Sequence, residues 1–386
     1  MNKKILILMC FLAGRIYAYT NLGVLNFGDP YYTGGKGTAL GLTAYSSAKD
    51  ASAVFTNPAA MGALTGTRIL LSLPLVSVSE RVVPDSDWSG YEGGAYYNSK
   101  LYADIPDFAI AYSFGEKIKL GFGITQRQNF RYKHTQTFSS GETFLDFEGK
   151  NYIKGNNFAG AMNLGNDWSL GVGYEILSGK PTFKEDLSGG AFVITSDYDF
   201  SGDRTFYSLS KNRGNWNVSF SYFKSAKLDY DWKYTYAVAV SSYYSENKYK
   251  GSVDFPKTFA LGFNYVWGGA VAASLYFDIV KTFWSNADAT YKDRISFHMG
   301  IENDLSSRLQ LRYGMALLPS YERSYVERAF LTAGFGYYLS SSLNLDFGYA
   351  YGRRDYLNDW EGGGISYSGR LNETLQIINV SLDWKI

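Results

Sequence analysis

The sequence predicts an antiparallel transmembrane β-barrel of about fourteen strands, and three observations carry that prediction. Apolar and small or polar residues alternate with a period of two along most of the chain. The connections between the alternating runs are by turns short and long. The composition is rich in Tyr (34) and Gly (41) and poor in Pro (8), with much of the Gly inside the alternating runs.

The alternation places each strand in order. In "KLGFGIT", Leu120, Phe122 and Ile124 share one face, and Lys119, Gly121, Gly123 and Thr125 the other. "SLGVGYEI" sets Leu170, Val172, Tyr174 and Ile176 against Gly171, Gly173 and Glu175. "WNVSFSY", "FALGFNY", "ISFHMGIE", "LQLRYGM", "LTAGFGY" and "LNLDFGY" repeat the pattern, and "INVSLDWKI" carries it to the last residue. Strands are expected to begin near residues 67, 105, 118, 157, 169, 204, 216, 257, 270, 294, 308, 329, 342 and 372. Tight turns fall at "GEK", "GND", "NRGN", "WGG", "DLSS" and "LSSS", and longer polar connections lie between them. Bacterial outer-membrane barrels show that asymmetry, with short turns on the periplasmic side and long loops outside. A soluble sandwich or propeller would show charges on its second face. Here that face is mostly Gly, Ala, Ser, Thr and Asn, which suits a small wet lumen.

Composition also excludes classes of function. A formal net charge of +1 leaves no electrostatic footprint for nucleic acid. Metal-ligand clusters, phosphate loops and cofactor motifs are absent from the sequence, so no cofactor and no metal are expected. The two histidines have no Ser or Asp motif beside them, so no enzyme is expected either. His298 should point into the lumen on the same face as Glu302, with Arg312 also lining it, and His134 should lie in a long outer loop.

The first residues read as an export signal over 1–18, with Lys3 and Lys4, an apolar core and a small residue at Ala18. Cys10, the one cysteine, lies inside it, and Met9 before it does not suit a lipoprotein cleavage site. Strands begin at 67, which leaves 19–66 unassigned. Ser47 and Asp50 form a weak capping box that would start a helix at Ala48, and Pro58 takes Asn57 out of helical conformation and ends it. One or two turns of Ala, Val and Phe are not stable alone. The segment is therefore expected to fill the lumen as a plug, with 67–386 forming the barrel.

Three blocks then resemble the FadL/TodX family of outer-membrane transporters for fatty acids and other hydrophobic compounds. They are "DASAVFTNPAAM" with its Gly- and Ala-rich lead, "FPKTFALGFNYVWGGAVAASLYFDIVKTFWS", and the C-terminal "HMGIENDLSSRLQLRYGMALLPS" with "LTAGFGYYLSSSLNLDFGYAY". Between about 127 and 256 only the strand rhythm is similar. The chain departs from the family at Ile16 in the signal site and at Ile386, a non-aromatic last residue, with Trp384 supplying an aromatic two positions earlier. The resemblance implies a monomeric barrel in the bacterial outer membrane, closed by an N-terminal hatch that includes Asp50, Ser52, Phe55, Asn57 and Pro58. It implies passive uptake of a hydrophobic small molecule, captured by outer loops and released sideways through the wall. The implied partners are outer-membrane lipid, lipopolysaccharide and the barrel-assembly machinery. The capture loops would carry exposed Phe192, Val193 and Ile194 and, in the next connection, Tyr236, Val238 and Val240. The same two runs also read as strand extensions above the membrane. A barrel that anchors secreted proteins, or an adhesin, would share this fold.

Overall fold

The computed structural model describes residues 34–84, 96–103, 106–137, 143–187, 190–268, 272–321, 327–362 and 365–386. The expected export signal, residues 19–33 of the expected plug and the loops around Tyr91 and Phe138 lie outside the described residues, as do the side chains of His134 and Val240.

Alternation becomes a closed antiparallel barrel of fourteen strands, six of them bent into two extended pieces. The first five are β1 (Thr67–Pro84), β2 (Tyr96–Ala103 and Asp107–Phe114), β3 (Ile118–Asn129 and Tyr132–Thr137), β4 (Thr143–Lys150 and Tyr152–Gly165) and β5 (Trp168–Gly179 and Thr182–Leu187). Then come β6 (Phe192–Arg213), β7 (Trp216–Phe223 and Ala226–Val238), β8 (Tyr243–Phe255 and Thr258–Trp267), β9 (Ala273–Thr282) and β10 (Arg294–Asp304). The circuit ends with β11 (Leu309–Pro319), β12 (Glu327–Tyr338), β13 (Leu343–Gly362) and β14 (Ile365–Lys385). Neighbours in sequence pair, and β14 closes on β1 from Arg68↔Lys385 to Pro84↔Gly369.

Several strands start earlier than the alternation indicates. β4, β6, β8 and β14 begin at 143, 192, 243 and 365 rather than 157, 204, 257 and 372. Beyond the lipid, neither face of a strand has to be apolar, so the two-residue signal fades while the ladder continues. The runs holding Phe192 and Tyr236 are thus strand, paired Phe192↔Val238 and Ile194↔Tyr236.

The outward face is apolar: Leu120 is 54% exposed, Leu261 44% and Leu331 69%. Trp168, Trp267, Tyr337 and Trp384 stand exposed near the short-turn end, where an aromatic girdle meets the membrane interface. The inward face is small or polar, with Thr125, Asn264, Arg312 and Asp346 all buried. Toward the long-loop end, the inner faces of β3 to β8 pack an aromatic core. Tyr198 stacks on Phe200 and Trp232, and Phe183 meets Phe130, Phe147 and Tyr198.

One stretch of wall is not closed in this way. β2 and β3 pair only from Phe108↔Ile124 down to Phe114↔Ile118, and among the described residues no ladder joins them above Phe108. There β3 loses its alternation, and Thr125, Gln126, Arg127 and Gln128 are all buried. A bulge between Gln126 and Gln128 puts Arg127 out of register with β4. Here β3 is buried on both faces while its ladder to β4 continues to Asn129↔Tyr152.

Candidate ligand passage through the lumen

Residues 34–64 cross the barrel interior, from helix α1 (Gly34–Ala39) through helix α2 (Ala53–Thr56) to a 3-10 turn over Pro58–Ala63. The helix expected at Ala48 starts instead at Ala53. The Ser47 hydroxyl donates back to the Thr43 carbonyl, and the Asp50 carboxylate accepts the Ser52 N–H at 2.7 Å, so the residues of the expected capping box close a turn. Asn57 is non-helical (φ −145°, ψ 74°), and Pro58 opens the 3-10 turn.

The segment runs around the lumen, meeting the strands in nearly reverse order. Gly35 N–H donates to Ser381 Oγ of β14 at 2.9 Å, and Gly41 N–H to Thr332 Oγ1 of β12 at 2.8 Å. Ala44, Tyr45 and Ser46 N–H all donate to the Asp278 carboxylate of β9, at 2.7, 2.9 and 2.9 Å. Ala59 N–H donates to Ser208 Oγ of β6 at 2.7 Å, and Asn163 Nδ2 of β4 to Gly62 O at 3.1 Å. Ser113 Oγ of β2 donates to Leu64 O at 3.1 Å. Strand backbones and plug come within contact because inward residues at this level are small. A Cβ at Gly300 would lie 2.6 Å from Leu40 Cα, and one at Gly262 2.8 Å from Ser46 N.

Each expected residue can now be placed. Phe55 is buried against Gly123 of β3. Asn57 is fully buried and donates through Nδ2 to the Tyr45 carbonyl at 3.1 Å, tying the end of α2 to the middle of the plug. Glu302 accepts from Arg312 Nε at 2.6 Å and from the Tyr276 hydroxyl at 2.9 Å, and Lys36 Nζ of α1 lies 3.4 Å away. Arg312 also pairs with Asp346. His298 is buried in the lumen, with Nδ1 3.1 Å from Gly41 O and Nε2 3.1 Å from Ser296 Oγ. Ile194, expected exposed, is buried against Tyr236 and Val238, with Phe192 packed beside them. Val193 lies on the same strand, half-buried.

Above the plug lies a cavity of about 120 Å³. Plug residues Leu42, Ala44, Tyr45 and Thr56 form its floor. Phe223, Phe255, Trp284 and Leu318 form its apolar sides, with Arg127, Arg204, Arg294 and His298 among the polar ones. Arg204 lies over the Phe223 and Phe255 rings, 5.0 and 4.8 Å from their centroids. The arginines are absent from the sequence-based expectation. A signal for the bulge was present, since Gln126 and Gln128 continue the row that begins Leu120, Phe122, Ile124, and glutamine on a lipid face is costly.

A barrel of this size, crossed inside by its own N-terminal segment and lined beside it by an amphipathic cavity, has the frame of a membrane channel. The sequence profile of the outer membrane protein transport proteins (OMPP1/FadL/TodX) matches residues 30–275, and the chain belongs to that family. Its members are outer-membrane transport proteins rather than enzymes. Among curated protein sequences none matches the chain. Its fold is shared by a FadL homologue from Pseudomonas aeruginosa, with a TM-score of 0.72 at 14% identity, over 93% of this chain and 99% of that one. The toluene transporter TodX of Pseudomonas putida gives 0.67 at 12% identity, over 93% and 99%. The monoaromatic hydrocarbon channel CymD gives 0.63 at 14%, over 92% and 97%.

Proposed function

We propose that this chain is a channel for passive uptake of hydrophobic small molecules, long-chain fatty acids or compounds of similar character. They are captured at the long-loop end and released laterally through the wall between β2 and β3. The observation that carries this reading is the amphipathic cavity, floored by the plug and bordered by Arg127 at the place where the wall ladder stops. A continuous lumen would leak ions, whereas a plugged lumen beside a wall break offers an apolar solute a route into the bilayer. The aromatic inner face of β6, from Phe192 through Tyr198 and Phe200 to Phe206, leads from the long-loop end to the cavity level. In this reading residues 34–64 are the hatch, and the short-turn end, where Ile386 pairs with Thr67, is periplasmic. Mass spectrometry of the organic extract of the purified barrel, followed by uptake of the compound found, tests it. Recovery of an apolar compound whose uptake depends on the protein is expected. A polar solute conducted through the lumen instead would end the proposal.

A further inference from the structure

The outward face of β6 to β9 carries a row of lysines at the edge of the membrane. On β8 the lipid-facing residues are Phe259, Leu261, Phe263, Tyr265 and Trp267. From Phe259 to Trp267 the strand rises about 27 Å, and with the usual tilt that covers most of an apolar band about 25 Å tall. Lys257, the next outward residue toward the long-loop end, therefore stands where the hydrocarbon stops. Lys224 and Lys281 flank it at the same level. The register sets Tyr222 of β7 opposite Phe259, and Phe259 opposite Lys281 of β9. Just above, Phe283 N–H donates to the Lys257 carbonyl at 3.0 Å, and Lys224 N–H to the Thr205 carbonyl of β6 at 3.1 Å. Neighbouring strands lie about 4.8 Å apart, so the three ammonium groups belong to one patch.

The patch has an aromatic bed. Lys257 and Lys281 Nζ lie 4.6 and 4.7 Å from the Phe283 ring centroid, and Lys224 Nζ 5.9 Å from that of Tyr207. Tyr222 stacks on Phe259 at 4.6 Å, and Phe259 meets Phe283 edge-on at 5.6 Å. Lysine stems lie along such rings and keep their charged heads at the interface. What sets these three apart is their lack of a counter-charge. Farther out on the same strands, Lys233 and Lys248 pair with Glu246 at 3.3 and 3.4 Å, and Lys250 with Asp231 at 3.1 Å. No carboxylate pairs with Lys224, Lys257 or Lys281 among the described residues.

We propose that Lys224, Lys257 and Lys281 form a site for a phosphate monoester of an outer-leaflet glycolipid, whose acyl chains lie along the apolar wall beside Leu261 and Ile279. The proposal rests on the orientation given above, with the short-turn end periplasmic. A phosphate monoester carries about −1.5 to −2 charges, enough to answer several cations that otherwise repel one another. A phosphodiester lipid brings a single negative charge and matches three lysines less well. Lysine meets phosphate as a point charge and needs no fixed fork geometry, so three flexible stems on neighbouring strands suffice. A lipid phosphate is also held at this height by its own chains and meets the row at high effective concentration, whereas a free phosphate does not.

The test uses the full barrel in detergent micelles, titrated with lipid A and read by native mass spectrometry as lipid bound per barrel. Lipid A bearing both phosphates should bind several-fold more tightly than the same lipid after dephosphorylation, and more tightly than phosphatidylglycerol. Replacing Lys224, Lys257 and Lys281 together by Gln should bring lipid A down to the level of its dephosphorylated form. Replacing all three by Arg should keep most of the binding. Replacing Lys233, Lys248 and Lys250 by Gln removes the same charge farther out and should leave binding unchanged. If the first Gln triple does not fold, Lys257→Gln alone carries the comparison, with a smaller loss expected. Equal binding of the three lipids by the native chain, or equal loss in the two Gln triples, would overturn the site and leave the proposed passage standing. Full displacement of lipid A by inorganic phosphate would overturn the lipid assignment in favour of a free anion. A tag at the turn holding Asn166 that is reachable on intact cells would turn the row toward the periplasm, and would overturn the site and the proposed orientation together.

Discussion

Three residues bear on how firmly residues 34–64, the proposed hatch, are held in the lumen. Asp278 accepts three consecutive backbone N–H groups, and a buried N–H left without its acceptor costs roughly 1–3 kcal/mol. Asp278→Ala should therefore weaken docking by about 2–3 kcal/mol locally, and amide exchange at Ala44, Tyr45 and Ser46 should quicken while barrel strands stay protected. Unchanged exchange there would mean other contacts hold this part of the hatch. Asn57→Ala removes one neutral hydrogen bond, to Tyr45 O, and should act in the same direction by about 1 kcal/mol. Lys49 adds a pH dependence. Its side chain is open to the lumen by area but has protein around most of it, and burial, with the Lys36 charge adding, lowers its pKa from 10.5 to about 8. The docked hatch then binds fewer protons than the free segment between those values. Docking should strengthen as pH rises from about 8 toward 10.5 and stay level below about 8. The rate of disulfide formation between cysteines placed at Ala59 and Ser208 measures this, and Lys49→Met should flatten the profile.

At the scale of the element, a barrel strand is decided by which face meets lipid. Leu261 and Asn264 lie three residues apart on β8, one 44% exposed and the other 2%. Arg at a lipid-facing position near the midplane costs about 2–4 kcal/mol. Leu261→Arg should lower folding stability by that amount, and Asn264→Arg by clearly less, in urea unfolding from lipid vesicles. Equal costs would contradict the register. β3 is the strand that departs from this rule, because Gln126 and Gln128 stand where its outward row should continue. Alternation that fails over a few polar residues therefore says where a wall strand stops facing lipid. It does not say what the buried stretch touches, since the Phe55 carbonyl that accepts from Arg127 is 72 residues away in sequence.

For the whole molecule, the barrel and its contents are separable in energy. Strand pairing and lipid burial involve the wall alone, and the hatch adds contacts to inward side chains. Deleting residues 19–56 should leave a barrel that still shows heat-modifiable migration on gels. Its conductance in planar bilayers should rise sharply, and uptake of a hydrophobic ligand should fall. Conductance equal to that of the intact protein would place the barrier in the aromatic core near Tyr198 and Trp232 instead. Epitope tags at the turn holding Asn166 should be reachable only after the outer membrane is opened, and tags at the hairpin tip beside Gly362 on intact cells.

The sequence by itself determined the wall. Side-chain alternation is local, each residue choosing lipid or lumen by its own chemistry, so the number of strands, their order and their facing could be read without partners. It also determined that residues before 67 needed a surface to pack on, because a one-turn helix cannot stand alone. Only the tertiary structure decided the path of that segment, since its bonds join residues as far apart as Gly35 and Ser381. The same holds for the outer strand pieces, where no lipid enforces alternation. It holds too for the meeting of Arg127, Arg204 and Glu175, which lie on three different strands. Charges on separate strands become a site only when closure of the barrel turns them toward one another, and no local pattern records that.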